Sequence, residues 1–435
     1  MAAGHSEECA TFSGRAAANS QAASSENFRT LNIVVGVAGG IAAYKSCHLV
    51  REFKERGHNV TVVPTRSALK FVGAATFEAL SGNPVATDVF EYVDEVRHVR
   101  VGQEADLVVI APATADVLSR ITHGRADDML TATVLVTQAP VVLAPAMHTE
   151  MWLNPATQDN VATLRQRGIT VLPPAHGRLT GKDTGPGRLP EPNQIAALAL
   201  TAASNRQYLR QDLAGKRVLI TAGGTQEAID PVRFIGNHSS GRQGFAIAEV
   251  AAARGAEVML VAGDTDDLTT PISAEVIRVR SAEEMADAVA KQLPKCEVAI
   301  FAAAVADYRP KAMAASKLKK GSADKELATL ELIENPDILR TSVQSREAGE
   351  ISSDTILVGF AAETGDGTKS ALELAQEKLA RKGCDLLLAN DVSGGATFGA
   401  DDNQGWILKA SGEVTSLAKA SKFEVAARLL DACEF

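Results

Sequence analysis

Leu31-Asn32-Ile33-Val34-Val35-Gly36-Val37-Ala38-Gly39-Gly40-Ile41-Ala42-Ala43-Tyr44-Lys45 is a short apolar run that breaks into glycines and passes into a helix-length segment. A strand apolar on both faces, followed by a tight turn and a helix, is the opening unit of a parallel sheet covered on both sides. The rhythm recurs at residues 59–63, 106–111, 141–145 and 169–172, then restarts at 217–221, 257–262, 298–303, 355–360 and 385–389. Two such series predict an α/β chain of two doubly wound, three-layer domains with parallel-rich sheets, flavodoxin-like or Rossmann-like in the first half and Rossmann-like in the second. Ligands are expected at the carboxyl ends of the strands.

Length agrees, because 435 residues suit two domains of about 100–200 residues each. An expected helix at 192–203 and a polar joint at 204–215 divide the series. The expected layout is a disordered tail at 1–29, a first domain at 30–205, a linker at 206–214 and a second domain at 215–435. The net charge of −9 argues against a nucleic-acid partner, which favours a basic face. Cys9, Cys47, Cys296, Cys384 and Cys433 are scattered without a CxxC pair, which excludes a zinc ribbon or disulfide framework and fits a reducing compartment. Glu7, Glu8 and Arg15 interrupt the first residues, unlike a signal peptide. No apolar run is long enough to cross a bilayer. A soluble cytoplasmic protein without a membrane partner is expected.

The Gly39-Gly40 turn lets backbone N–H groups approach a phosphate at a helix start, although a plain tight turn reads the same way. It departs from GxGxxG, and the second strand runs into Pro64-Thr65-Arg66, where a dinucleotide site wants an acid for the ribose. A mononucleotide fits better. Further on come Glu95-Val96-Arg97-His98-Val99, Ala111-Pro112-Ala113-Thr114-Ala115-Asp116, and Pro145-Ala146-Met147-His148-Thr149-Glu150-Met151-Trp152. Residues 177–188 are glycine-rich and too polar for a core, which suits a flap over a site. By itself His98 reads as an ordinary surface histidine, and Met147, Met151 and Trp152 read equally well as core at helical spacing.

In this order the segments resemble the flavin-dependent cysteine decarboxylases, and within them the phosphopantothenoylcysteine decarboxylases, over nearly all of 31–192. The resemblance implies FMN held by Gly39, Gly40, Ile41, Thr65, Pro112, Ala113, Thr114 and Ala115. It implies His98 as a catalytic residue, with Met147, His148 and Arg188 on the substrate. A flavin suits this reaction because hydride removal from the thiol creates the electron sink that carboxylate loss requires. Two positions depart from the family. His148 stands where an asparagine usually binds the carboxylate, and Gly181 where a cysteine usually donates a proton. His148 is therefore expected to serve in catalysis too, with Lys182, Asp183 or water as the competing proton source.

The second half opens on Thr221-Ala222-Gly223-Gly224-Thr225 and continues through residues 230–244. Serines, glycines and arginines leading into a helix make a phosphate cradle, and equally an ordinary Ser/Gly loop. Lys317-Leu318-Lys319-Lys320 reads as a solvated face. With Asp307 after a buried strand, it also reads as a metal–triphosphate site. Taken in order, these segments resemble the phosphopantothenate–cysteine ligases over 215 to about 405, without departure at the principal motifs.

The bacterial fused type of that family implies CTP and Mg²⁺. Arg233 and Asn237 would act on substrate and intermediate, with Asn237 catalytic, and Ser239, Ser240 and Gly241 would lie near the substrate phosphate. Ala302, Ala303, Asp307, Lys317, Asn335, Pro336, Asp337, Ile338, Phe360, Lys378 and Lys382 would form the nucleotide site, with Asp307 on the metal. The implied partners are 4′-phosphopantothenate, L-cysteine and CTP, and the implied assembly is a homo-oligomer with flavin sites between subunits. The competing reading is an active ligase fused to a flavoprotein of altered or regulatory function. A pair of NAD-dependent dehydrogenases fails on the missing acid in both halves.

Overall fold

The computed structural model describes residues 29–85, 97–179, 183–318, 329–364, 368–391 and 402–434. Leu31–Phe435 form one compact unit. The expected tail lies outside the described residues except for Arg29, as do Glu95, Gly181, Lys182, Lys319 and Lys320.

In the first half, β1 (Asn32–Val37), β2 (Asn59–Pro64), β3 (Leu107–Ala113), β4 (Val141–Pro145) and β5 (Thr170–Val171) form one parallel sheet in the order β2-β1-β3-β4-β5. Alternate residues of β1 and β3 feed opposite cores. Ile33, Val35, Leu107 and Val109 face one side, and Val34, Val108 and Ile110 the other. This two-sided burial is why these strands read as unbroken apolar runs. Helices α1 (Lys45–Glu55), α2 (Ala74–Ser81), α3 (Arg97–Glu104), α4 (Ala115–Thr122), α5 (Met129–Val136), α6 (Thr149–Trp152) and α7 (Pro155–Gln166) link the strands. The winding reverses between β1 and β3, which opens a crevice at their carboxyl ends. An antiparallel hairpin, β6 (Ala175–Arg178) and β7 (Thr184–Arg188), precedes α8 (Pro192–Ser204).

The second half holds β8 (Arg217–Ala222), a small hairpin of β9 (Gln226–Ala228) and β10 (Phe234–Gly236), β11 (Glu257–Ala262), β12 (Glu275–Arg278) and β13 (Val298–Phe301). A second small hairpin, β14 (Tyr308–Pro310) and β15 (Leu332–Glu334), is followed by β16 (Ile356–Glu363), β17 (Leu386–Asp391), β18 (Asp402–Lys409) and β19 (Val414–Ser421). The large sheet runs β12-β11-β8-β13-β16-β17-β18-β19, and only its last two strands are antiparallel. Its winding reverses between β8 and β13. Residues of α9 (Arg242–Ala253) and α13 (Lys422–Ala432) fill the core on one face, and those of α10 (Ala282–Gln292), α11 (Ile338–Glu347) and α12 (Ala371–Lys382) the other.

The segment read as a polar joint is packed instead. Tyr208, Leu209 and Leu213 are buried in the core that also holds Leu49, Phe53, Leu198, Phe245 and Leu429, so one apolar layer runs through both halves. The polar residues of the joint are neutralised in place. Arg254 is fully buried and pairs with Asp212 and, at 2.8 Å, with Asp431, while Arg210 reaches both carboxylates at 2.7 Å. The β18–β19 pair is absent from the strands read in the sequence. β19 buries only Leu417, so it lacks the unbroken apolar run that marks the others.

Candidate functional sites at the two crevices

At the first crevice, backbone hydrogen bonds tie four strand ends together. Ala38 N–H donates to Pro112 O (3.1 Å), Thr65 N–H to Val37 O (2.9 Å) and Ala146 N–H to Ala113 O (3.1 Å). This set brings the Gly39–Ile41 turn, Thr65, Pro112–Ala115 and Met147 to one edge. Gly39 lies so close to Ser67 that any Cβ would overlap it, whereas Gly40 is extended and meets only Thr114 Cγ2, at 4.0 Å. Thr114 caps α4 by accepting from Val117 N–H at 3.3 Å. A glycine turn with open space beside it and a capped helix start fit a phosphate-bearing cofactor such as FMN.

The β6–β7 hairpin is fastened to the loop after β4. Met147 N–H donates to Gly187 O (3.0 Å), and a Cβ at Gly187 would overlap Met147 O. His148 is exposed at the start of α6 and makes no side-chain cap. Arg188 pairs with Glu191 at 2.6 Å, and Glu191 also holds Lys45 at 2.9 Å. His98 is half-buried on α3, and its Nδ1 is buried with no hydrogen-bond partner among the described residues.

The second crevice is a cleft of about 880 Å³. Its lining brings together Asn237, Ser239, Ser240, Gly241, Ala302, Ala303, Asp307, Asn335, Pro336, Asp337, Ile338, Phe360, Lys378 and Lys382, all expected from the sequence. Gly241 takes the left-handed conformation (φ 73°) that starts α9, where Thr265 leaves no room for a Cβ. Asn237 Nδ2 donates to Val305 O (3.0 Å), and Asn335 Nδ2 to Ala306 O (2.8 Å), so both amides brace the 301–308 strand end. Asp337 caps α11 and pairs with Lys382, while Lys378 lies 3.4 Å from Glu363. Among the described residues no group of three or more His, Cys, Asp or Glu side chains converges. Asp307 is a carboxylate of the kind that holds Mg²⁺ jointly with substrate phosphates.

Two expected residues do not line this cleft. Arg233 forks onto Asp230 and donates to Leu318 O at 2.7 Å, while Leu318 N–H returns to Asp230 at 3.2 Å. Burial pushes the Asp230 carboxyl up, but the Arg233 guanidinium and the N–H groups of Val232, Arg233 and Leu318 hold it well below the usual range. Lys317 is exposed beside this anchor. Sequence reading also missed His238, Gln243, Asn390, Asn403 and Lys422, which line the cleft. Asn390 follows directly on the expected strand 385–389, so the strand-end rule reaches it. Asn403 and Lys422 carry no such signal.

Residues 21–204 match the flavoprotein family model, and residues 213–434 match that of the DNA/pantothenate metabolism flavoprotein C-terminal domain. The coenzyme A biosynthesis bifunctional protein CoaBC of Mycolicibacterium smegmatis is 57% identical over 399 residues, covering 92% of this chain and 96% of that protein. Its namesake from Mycobacterium tuberculosis is 56% identical over 400 residues, covering 92% and 95%. A solved C-terminal domain of a coenzyme A biosynthesis bifunctional protein CoaBC is 40% identical, covering 51% of this chain and 95% of that one, with a TM-score of 0.41. With nearly the whole length of such relatives aligned at this identity, the chain belongs to the CoaBC family of bifunctional coenzyme A biosynthesis proteins.

Proposed function

We propose that residues 215–435 join cysteine to 4′-phosphopantothenate at the expense of CTP, and that residues 30–205 decarboxylate the product with FMN, the packed segment 206–214 joining them. What supports the ligase half is one cleft gathering Asn237, the Ser239–Gly241 turn, Asp307, Asn335 and Lys382 from separate segments. The Ser239–Gly241 turn and the start of α9 hold the substrate phosphate. The substrate carboxylate attacks the α-phosphate of CTP, giving an acyl-cytidylate and pyrophosphate, and the amine of cysteine then displaces CMP. Asp307 would hold Mg²⁺, which when bound would offset charge on the nucleotide phosphates, while Lys378 and Lys382 offset charge growing on them. Lys317 adds a further charge, and Arg233, already engaged by Asp230, positions the Lys317–Leu318 segment.

In the decarboxylase half, Gly39, Gly40, Ile41, Thr65 and Pro112–Ala115 hold FMN, which when bound supplies the hydride chemistry that prepares the carboxylate to leave. His98 takes the thiol proton. Met147 and Arg188 frame the substrate. His148 orients its carboxylate and returns a proton to the decarboxylated intermediate. Ile41 and Tyr44 are 78% and 55% exposed beside the glycine turn, which supports a homo-oligomer whose flavin sites are completed between subunits. A cytoplasmic setting is supported by the free thiols of Cys47, Cys296, Cys384 and Cys433. No helix among the described residues is long and apolar enough to cross a membrane.

The test supplies 4′-phosphopantothenate, cysteine, CTP and Mg²⁺ to the purified protein and follows products by mass. 4′-Phosphopantetheine is expected from the wild type. Asn237→Ala should accumulate acyl-cytidylate, because this residue serves the second step. A variant that makes neither cytidylate nor product would remove Asn237 from that role, and a wild type that forms no amide product would overturn the ligase reading.

A further inference from the structure

The wall of the cleft formed by β18, the first turn of α9 and the start of α13 contains a buried acceptor that no described residue serves as donor. Asn403 is only 4% exposed, and its Oδ1 meets no hydrogen-bond partner among the described residues. Its orientation follows from a short relay. Gln243 Nε2 donates to the Lys422 carbonyl at 3.0 Å, and Asn403 Nδ2 donates to Gln243 Oε1 at 3.1 Å. A carbonyl only accepts, so Gln243 turns its nitrogen toward Lys422 and its oxygen toward Asn403. Asn403 must then offer nitrogen to Gln243 and keep oxygen for something else. Asn403 lines the cleft.

The backbone is built to hold it there. The β18–β19 register slips between Asn403 and Gly405, the kind of irregularity that re-aims a side chain. Gly405 has φ 153° and lies so close to Ala389 O that no Cβ fits. An unmet buried acceptor carries its desolvation cost until a donor arrives.

We propose that Asn403 is a specificity residue of the ligase cleft, its Oδ1 accepting a hydrogen bond from the secondary hydroxyl of the acid substrate, with Gln243 as the positioning residue. The proposal rests on the ligase reading and deepens it. 4′-Phosphopantothenate has two neutral donors, a hydroxyl toward its phosphate end and an amide N–H toward its carboxylate. Gln243 lies two residues beyond Gly241, in the turn assigned to the phosphate. The carboxylate must instead reach the nucleotide, whose residues Ile338, Lys378 and Lys382 belong to the helices on the opposite face of the sheet. The donor that arrives beside Asn403 is therefore the hydroxyl.

Ligation by the full chain is measured with 4′-phosphopantothenate and with the analogue lacking only that hydroxyl. The wild type should favour the natural acid by about tenfold in kcat/KM, the scale of one hydrogen bond. Asn403→Leu should raise KM for the natural acid, leave KM for CTP unchanged and erase the preference. Gln243→Leu, which leaves Asn403 in place but free to turn, should lower the preference without erasing it. Equal use of both acids by the wild type overturns the proposal without needing either variant to fold. It also falls if Asn403→Leu keeps the preference, or if KM for CTP rises in step, as a merely structural role would require. A wild type that ligates neither acid would instead strike the ligase reading beneath it.

Discussion

His98 concentrates its interest in one atom, the buried Nδ1 that no described neighbour satisfies. Such an atom is rare in a finished core and common where a group is kept for a reacting partner. His98→Asn should leave FMN bound, because the glycine turn and Pro112–Ala115 lie elsewhere, and should abolish CO₂ release from phosphopantothenoylcysteine. Absorbance of bound flavin together with a CO₂ assay checks both halves, and a yellow variant with normal decarboxylation would dismiss the histidine. Arg233 teaches the opposite lesson. Sequence places it in a loop rich in phosphate-binding residue types, yet its fork is filled by Asp230, three positions earlier. Composition shows that a guanidinium is present but not what already occupies it. For the same reason Asn403 was invisible, since nothing in Asp402-Asn403-Gln404-Gly405 signals an amide whose orientation is set by residues far away in sequence.

Strands buried on both faces were legible because their apolar runs need no partner to be recognised. β4 and β11 match the expected 141–145 and 257–262 exactly in length, and the others shift by only a few residues. The β18–β19 hairpin was not legible, because an edge strand with one face in water loses that run. The hairpin of β6 and β7 was read as a glycine-rich flap, and its base is held tightly against the loop after β4. Gly187→Ala should force Met147 O aside, adding strain at φ 149°. Decarboxylation should fall at least tenfold through misplacement of the substrate loop, while ligation in the same chain stays at wild-type rate. Matched assays of the two reactions decide it, and equal loss of both would point to general unfolding.

Across the whole molecule, charged groups hold together the segment that composition marks as a polar joint. Arg254→Met strands Asp212 and Asp431 with Arg210 alone, and should cost about 2–3 kcal/mol, below the usual range for a fully buried pair because both carboxylates are partly wet. A lowered unfolding midpoint would show it, and an unchanged one would reduce the network to decoration. Glu249 on α9 meets Gln194 on α8, and burial pushes its carboxyl up to about 8 against the hydrogen bonds from Gln194 and Ile272. Between about pH 5 and 8 the unfolded chain has released this proton while the folded one keeps it, so stability should fall as pH rises. Glu249→Gln should flatten that slope in a series of melting temperatures, whatever its baseline. One consequence belongs to β19. It pairs with β18 as the last strand of the sheet and exposes mostly Thr, Ser and Lys side chains, so the edge offered to other copies is this polar one in place of β18, with its buried Ile407 and Leu408. Because β18 also carries Asn403, loosening this hairpin should make the protein less choosy about its acid and more prone to aggregate, so that fidelity and solubility fail together.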